Sequence, residues 1–83
     1  MSLSKFRLQV LAILSDNLKQ SPPQLVSSTI IAEQMNLSLS ELRKVLKSLE
    51  GIGEIETDPE LRYNLITQKG LQLLGDQYAT LRT

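Results

Sequence analysis

Ile31 to Glu50 reads IAEQMNLSLSELRKVLKSLE, two short amphipathic segments hinged by a tight turn. Asn36 closes the first segment, because asparagine tolerates the left-handed conformation that ends a helix and turns the chain sharply. Ser38 and Glu41 stand at capping-box spacing, so each can satisfy a first-turn amide of the second segment and fix where that helix begins. At about 100° per residue, Leu39, Leu42, Val45, Leu46 and Leu49 gather within an arc of roughly 120° and the opposite side is wholly polar. Ser40, Lys44 and Lys47 lie at the centre of that polar side. Arg43 and Glu50 flank one edge, and Glu41 and Ser48 flank the other.

Upstream, Ser27 is the expected N-cap of the first of these helices, with Val26 packing on Ile31 as a hydrophobic staple and Ile31, Ala32 and Met35 facing inward. Gln24, Leu25 and Val26 have room for a short strand at most. Ser21, Pro22 and Pro23 break what precedes, since proline lacks the amide donor and disfavours helical geometry in the residue before it. From Ser4 to Leu18, Phe6, Val10, Ile13, Leu14 and Leu18 recur at helical steps. Leu8, Leu11 and Ala12 widen that stripe beyond the usual apolar width, so the last helix or a second subunit must cover it.

Downstream, Gly51 and Gly53 are expected to close the helix with positive φ and reverse the chain. Ile52 to Thr57 and Arg62 to Ile66 then read as strands of a hairpin, with Asp58-Pro59 starting a type I turn. Thr67 caps a final helix whose Leu71, Leu74, Tyr78 and Leu81 fall at steps of three, four and three residues.

Eighty-three residues enclose one modest core, which predicts a single domain over residues 1–83. The sequence has neither cysteine nor histidine, so disulfides, thiolate metal sites and imidazole chemistry are excluded and no metal or cofactor is expected. With no phosphate-cradling glycine loop either, the chain does not read as an enzyme. No apolar run approaches the ~20 residues that cross a bilayer, and no secretory signal layout is present, so no membrane partner and a cytoplasmic location are expected. Nine Lys plus Arg balance nine Asp plus Glu, so attraction to a polyanion must come from local segregation. Arg43, Lys44 and Lys47 crowd one segment; Glu54, Glu56, Asp58 and Glu60 crowd the next.

The expected fold is mainly α with a small β-hairpin, in the order α-β-α-α-β-β-α. That order resembles the winged helix-turn-helix domains of small bacterial and archaeal transcriptional regulators, including the multiple-antibiotic-resistance and phenolic-acid regulator types. The likeness covers nearly the whole chain. Ala32, Asn36, Leu42 and Val45 carry it at helix-turn-helix intervals, with Leu49 followed by Gly53 and Ile55, and with Ile66-Thr67-Gln68-Lys69-Gly70. Asn36 departs from it where glycine is common, and Tyr63 lies one residue earlier than the usual aromatic. The resemblance implies that the helix from about residue 39 to 50 enters the major groove of double-stranded DNA and that the hairpin wing touches the flanking backbone.

On that reading the DNA-facing residues are Ser40, Arg43, Lys44, Lys47 and, on the wing, Arg62. The lysines can neutralise phosphates, and Arg43 can reach a phosphate or the acceptor edge of guanine, a pairing worth about 1–3 kcal/mol in discrimination. The wing's four acidic residues would be repelled by phosphates, so its contact is expected to be weak or to involve a protein instead. Leu8, Leu71, Leu74, Tyr78 and Leu81 form the expected homodimer seam between the terminal helices. The competing reading is a winged-helix protein–protein interaction module that does not bind DNA, since fold alone does not decide function.

Overall fold

The structure is a computed structural model that describes the backbone of residues 3–18 and 25–82 and the side chains of 5–18 and 25–75. Its elements run α1 (Leu3–Leu18), β1 (Val26–Ser27), α2 (Ser28–Met35), α3 (Leu39–Gly51), β2 (Ile55–Thr57), β3 (Tyr63–Ile66) and α4 (Gln68–Arg82). This is the order expected from the sequence. The core is built from Val10, Leu11 and Leu14 of α1, Ile31 and Ala32 of α2, the hidden leucines and valine of α3, Ile55 and Ile66 of the sheet, and Leu74 of α4. Leu11 is fully buried within the chain's own fold, whereas Phe6, Leu8, Ala12, Ile13 and Leu18 are half-buried around that core. The broad stripe of α1 is therefore covered in large part intramolecularly, by α4, β3, α3 and α2 together.

The strands form one antiparallel sheet in the order β1-β3-β2, so the hairpin has a third member. Val26 and Ser27 pair with Asn64 and Tyr63, while Ile55, Glu56 and Thr57 pair with Ile66, Leu65 and Asn64. Asn64 thus occupies the middle of the sheet, fully buried, and its amide donates to the Val26 carbonyl at 3.1 Å and to Ser28 Oγ at 2.9 Å. Ser28 in turn donates its hydroxyl to the Leu61 carbonyl at 2.5 Å and its backbone N–H to the Arg62 carbonyl at 2.8 Å. These bonds fix the wing against the start of α2. A buried amide left without them would carry a desolvation cost of about 1–3 kcal/mol.

Two expected boundaries shift. Ile52 is the C-cap of α3 and is 42% exposed, and β2 begins only at Ile55. The backbone N–H groups of Ile52, Gly53 and Glu54 bond back to the carbonyls of Ser48, Glu50 and Leu49, so they are unavailable to a strand. Gly53 alone supplies the positive φ, at 82°, while Gly51 is the last helical residue. Likewise β3 starts at Tyr63, one residue later than expected, and the Arg62 N–H before it bonds the Asp58 carboxylate at 2.5 Å. The turn itself is closed as expected, by Leu61 N–H on the Asp58 carbonyl at 2.8 Å. Leu61 holds φ at 58°, a conformation costly for a leucine, with its carbonyl anchored by Ser28. Among the described residues, no helix is long and apolar enough to cross a membrane.

Candidate nucleic-acid interface

The turn before α3 is specified at both ends, as the sequence suggests. Asn36 adopts φ 56° and ψ 43°, the left-handed region, and Leu37 N–H bonds the Ala32 carbonyl at 3.0 Å. Ser38 Oγ accepts from Glu41 N–H at 3.1 Å and Glu41 Oε1 accepts from Ser38 N–H at 3.2 Å, completing the capping box. The Ser38 amide and hydroxyl, with some help from Lys44, hold the Glu41 carboxyl below the usual carboxylate range. Ser27 caps α2 in the same manner, its hydroxyl accepting from Thr29 N–H at 3.2 Å.

With its start fixed, α3 buries Leu42, Val45, Leu46 and Leu49 and exposes Ser40, Arg43, Lys44 and Lys47. All four candidate residues of this helix therefore share the solvent side. Among the described residues, neither Arg43 nor Lys47 has an ion-pair partner, and Lys44 acts on Glu41 only at longer range. Arg62, the fifth candidate, is exposed on the wing but engaged: its Nε lies 3.3 Å from Asp58 Oδ2 and 3.0 Å from Glu60 Oε2. Its guanidinium carbon also sits 5.9 Å from the centre of the Tyr63 ring. Arg43 and Arg62 meet across a cleft of about 190 Å³ between the starts of α2 and α3 and the wing.

The wing's acidic residues do not form one outward cluster. Glu54 is only 4% exposed and its Oε2 pairs with Arg7 Nη2 of α1 at 2.7 Å. Asp58 accepts from the backbone N–H groups of Tyr63 and Arg62, and these bonds keep its carboxyl below the ordinary range. Glu60 faces Arg62, which leaves Glu56 as the exposed carboxylate without a partner among the described residues of the wing. The expected four-charge repulsion is thus reduced by one buried ion pair and one internal network.

The candidate seam residues are divided. Leu74 is in the core at 6% exposure, Leu8 is half-buried against it, and Leu71 is exposed. The side chains of Tyr78 and Leu81 lie outside the described residues. Sequence reasoning missed three features: Arg7 with Glu54, Asn64 with Ser28, and Tyr63 and Thr29 as walls of the cleft. Only Asn64 left a trace, because it stands two residues before Ile66 and so points to the same, inward side of β3.

Four helices, α2 and α3 forming a capped helix-turn-helix, and a hairpin wing in a three-stranded sheet define the winged-helix fold. Two solved structures of Lactococcus lactis ZitR are similar to it. A double mutant in apo form superposes with a TM-score of 0.73 at 19% identity, covering 96% of this chain and 59% of that one. A single mutant gives 0.70 at 19% identity, covering 90% and 50%. The chain therefore spans between half and three-fifths of the length of these proteins, and at this identity the likeness is one of fold. It carries the winged helix-turn-helix and not the narrower multiple-antibiotic-resistance or phenolic-acid regulator type. No protein-family model matches the sequence, and no curated protein matches it.

Proposed function

We propose that this protein is a DNA-binding transcriptional regulator in which α3 enters the major groove, Ser40, Arg43, Lys44 and Lys47 facing the duplex. The observation that carries this reading is the division of α3 into a side that buries Leu42, Val45, Leu46 and Leu49 and a solvent side bearing three cations. Rigid attachment through Leu42, Val45, Leu46 and Leu49 lets such a helix present base-reading side chains without losing their register. The fold shared with ZitR, and a sequence free of histidine and cysteine, favour a binding role over catalysis. Association of two copies through the terminal helices, with exposed Leu71 at the seam, would pair two recognition helices about one helical turn apart on DNA.

The test is replacement of Lys44 and Lys47 together by glutamate. Both are exposed, so the melting temperature should stay within a few degrees of the parent while duplex binding is lost. Unchanged affinity would discard this face of α3. A protein-interaction role is the second reading, favoured by the engagement of Arg62 with Asp58 and Glu60, which removes the wing's free cation. It is separated from the first by salt, because a phosphate-binding domain weakens steeply as salt rises.

A further inference from the structure

We propose that the cleft between the starts of α2 and α3 and the wing is the seat of a single backbone phosphate of duplex DNA, with Arg43 as its anchor and Tyr63 and Thr29 as additional donors. This rests on the reading of α3 as the DNA-facing helix. The cleft is lined by Arg43, Arg62, Tyr63 and Thr29, with Leu39 and Leu61 among its apolar walls, and it contains no carboxylate. Asp58 and Glu60, which engage Arg62 through its Nε, are not part of the lining. Arg43 has no acidic partner among the described residues, and neither the Thr29 nor the Tyr63 hydroxyl has a hydrogen-bond partner there.

The chemistry of these donors selects the occupant. A phosphodiester oxygen only accepts hydrogen bonds, and a planar guanidinium can hold it through two parallel bonds. Base edges mix donors with acceptors, whereas the free groups at this cleft are a guanidinium, which only donates, and two hydroxyls, which can each turn a proton toward an acceptor. Tyr63 is 46% exposed, with the Arg62 guanidinium carbon 5.9 Å from its ring centre, so its rim is open to a ligand. The place of the cleft, at the wing-side edge of the basic face of α3, puts it where a strand leaving the groove would pass. The node of Ser28 and Asn64 beneath keeps its walls at a set distance.

The experiment measures duplex affinity of the wild type, Arg43→Gln, Tyr63→Phe and Thr29→Val at two salt concentrations, over a set of duplexes differing at single base pairs. Thermal melts confirm that each variant is folded. For Arg43→Gln, the expected result is weaker binding to all duplexes alike and a log–log salt slope shallower by about one unit. Tyr63→Phe should weaken binding by about two- to tenfold, the effect of one lost hydrogen bond. If the Arg43→Gln slope is unchanged, or its loss is confined to one base-pair position, Arg43 does not hold a phosphate and the seat is refuted while the DNA reading stands. If the wild type binds no duplex but binds a poly-glutamate peptide, both are refuted and the cleft is an acidic-peptide site.

Discussion

Asp58 shows how one side chain can organise a wing. Its carboxylate accepts two backbone N–H groups, from Arg62 at 2.5 Å and Tyr63 at 2.8 Å, and meets the Arg62 side chain as well. The Tyr63 bond is the main cause that lowers its pKa, with the Arg62 backbone and side chain adding to it. A carboxyl whose folded value is depressed contributes stability that is fully present above its unfolded value and is lost as pH falls through the folded one. Both Asp58 and Glu41 therefore make the domain sensitive to acid below about pH 4. Asp58→Asn should lower the urea midpoint at neutral pH, with the deficit shrinking as pH falls below that of the free carboxyl. A deficit that is the same at pH 3 and pH 7 would show that the charge of Asp58 contributes nothing to the turn.

Among the elements, α4 docks closely at its start, where Gly70 lies against the Glu54 turn. A Cβ at Gly70 would collide with the Glu54 carbonyl oxygen and approach Ile66 Cγ1 to 2.8 Å, whereas one at Gly75 meets nothing within 4 Å. Gly70→Ala should cost about 1–3 kcal/mol in denaturant unfolding, overriding alanine's better helix propensity. Gly75→Ala should stabilise by up to about 1 kcal/mol. Equal effects at the two positions would mean that α4 does not press on the Glu54 turn. The helices, the caps Ser27, Asn36 and Ser38 and the inward side of α3 were legible because they depend on residue type and on short spacings within one segment. The start of β2 was not, because Ile52 has the side chain of a strand residue but amides and neighbours that belong to the helix end. The third strand was equally hidden, since Val26 and Asn64 are neighbours only across 38 positions of chain.

At the scale of the whole molecule, Arg7 and Glu54 tie the first helix to the turn that launches the wing, across 47 positions. No local pattern could have revealed that pair, which takes Glu54 out of the acidic surface and leaves the candidate interface less repulsive than the sequence suggests. Arg7→Ala would strand a buried carboxylate and should cost about 2–3 kcal/mol, below the usual range for buried pairs because Arg7 is 27% exposed. Adding Glu54→Leu should recover most of that loss in thermal melts; no recovery would place the cost in lost packing of the Arg7 stem. The proposed role depends on the outward-facing basic side of α3. The most direct measurement is a titration of the wild type and of the Lys44→Glu, Lys47→Glu double variant against duplex DNA at two salt concentrations. Phosphate contacts by Arg43, Lys44 and Lys47 would give the wild type a log–log salt slope of about −2 to −3 per chain, and the double variant no measurable binding. Wild-type protein that ignores duplex DNA even in dilute salt, or a double variant that binds as tightly as the wild type, would contradict the assignment of this face to DNA.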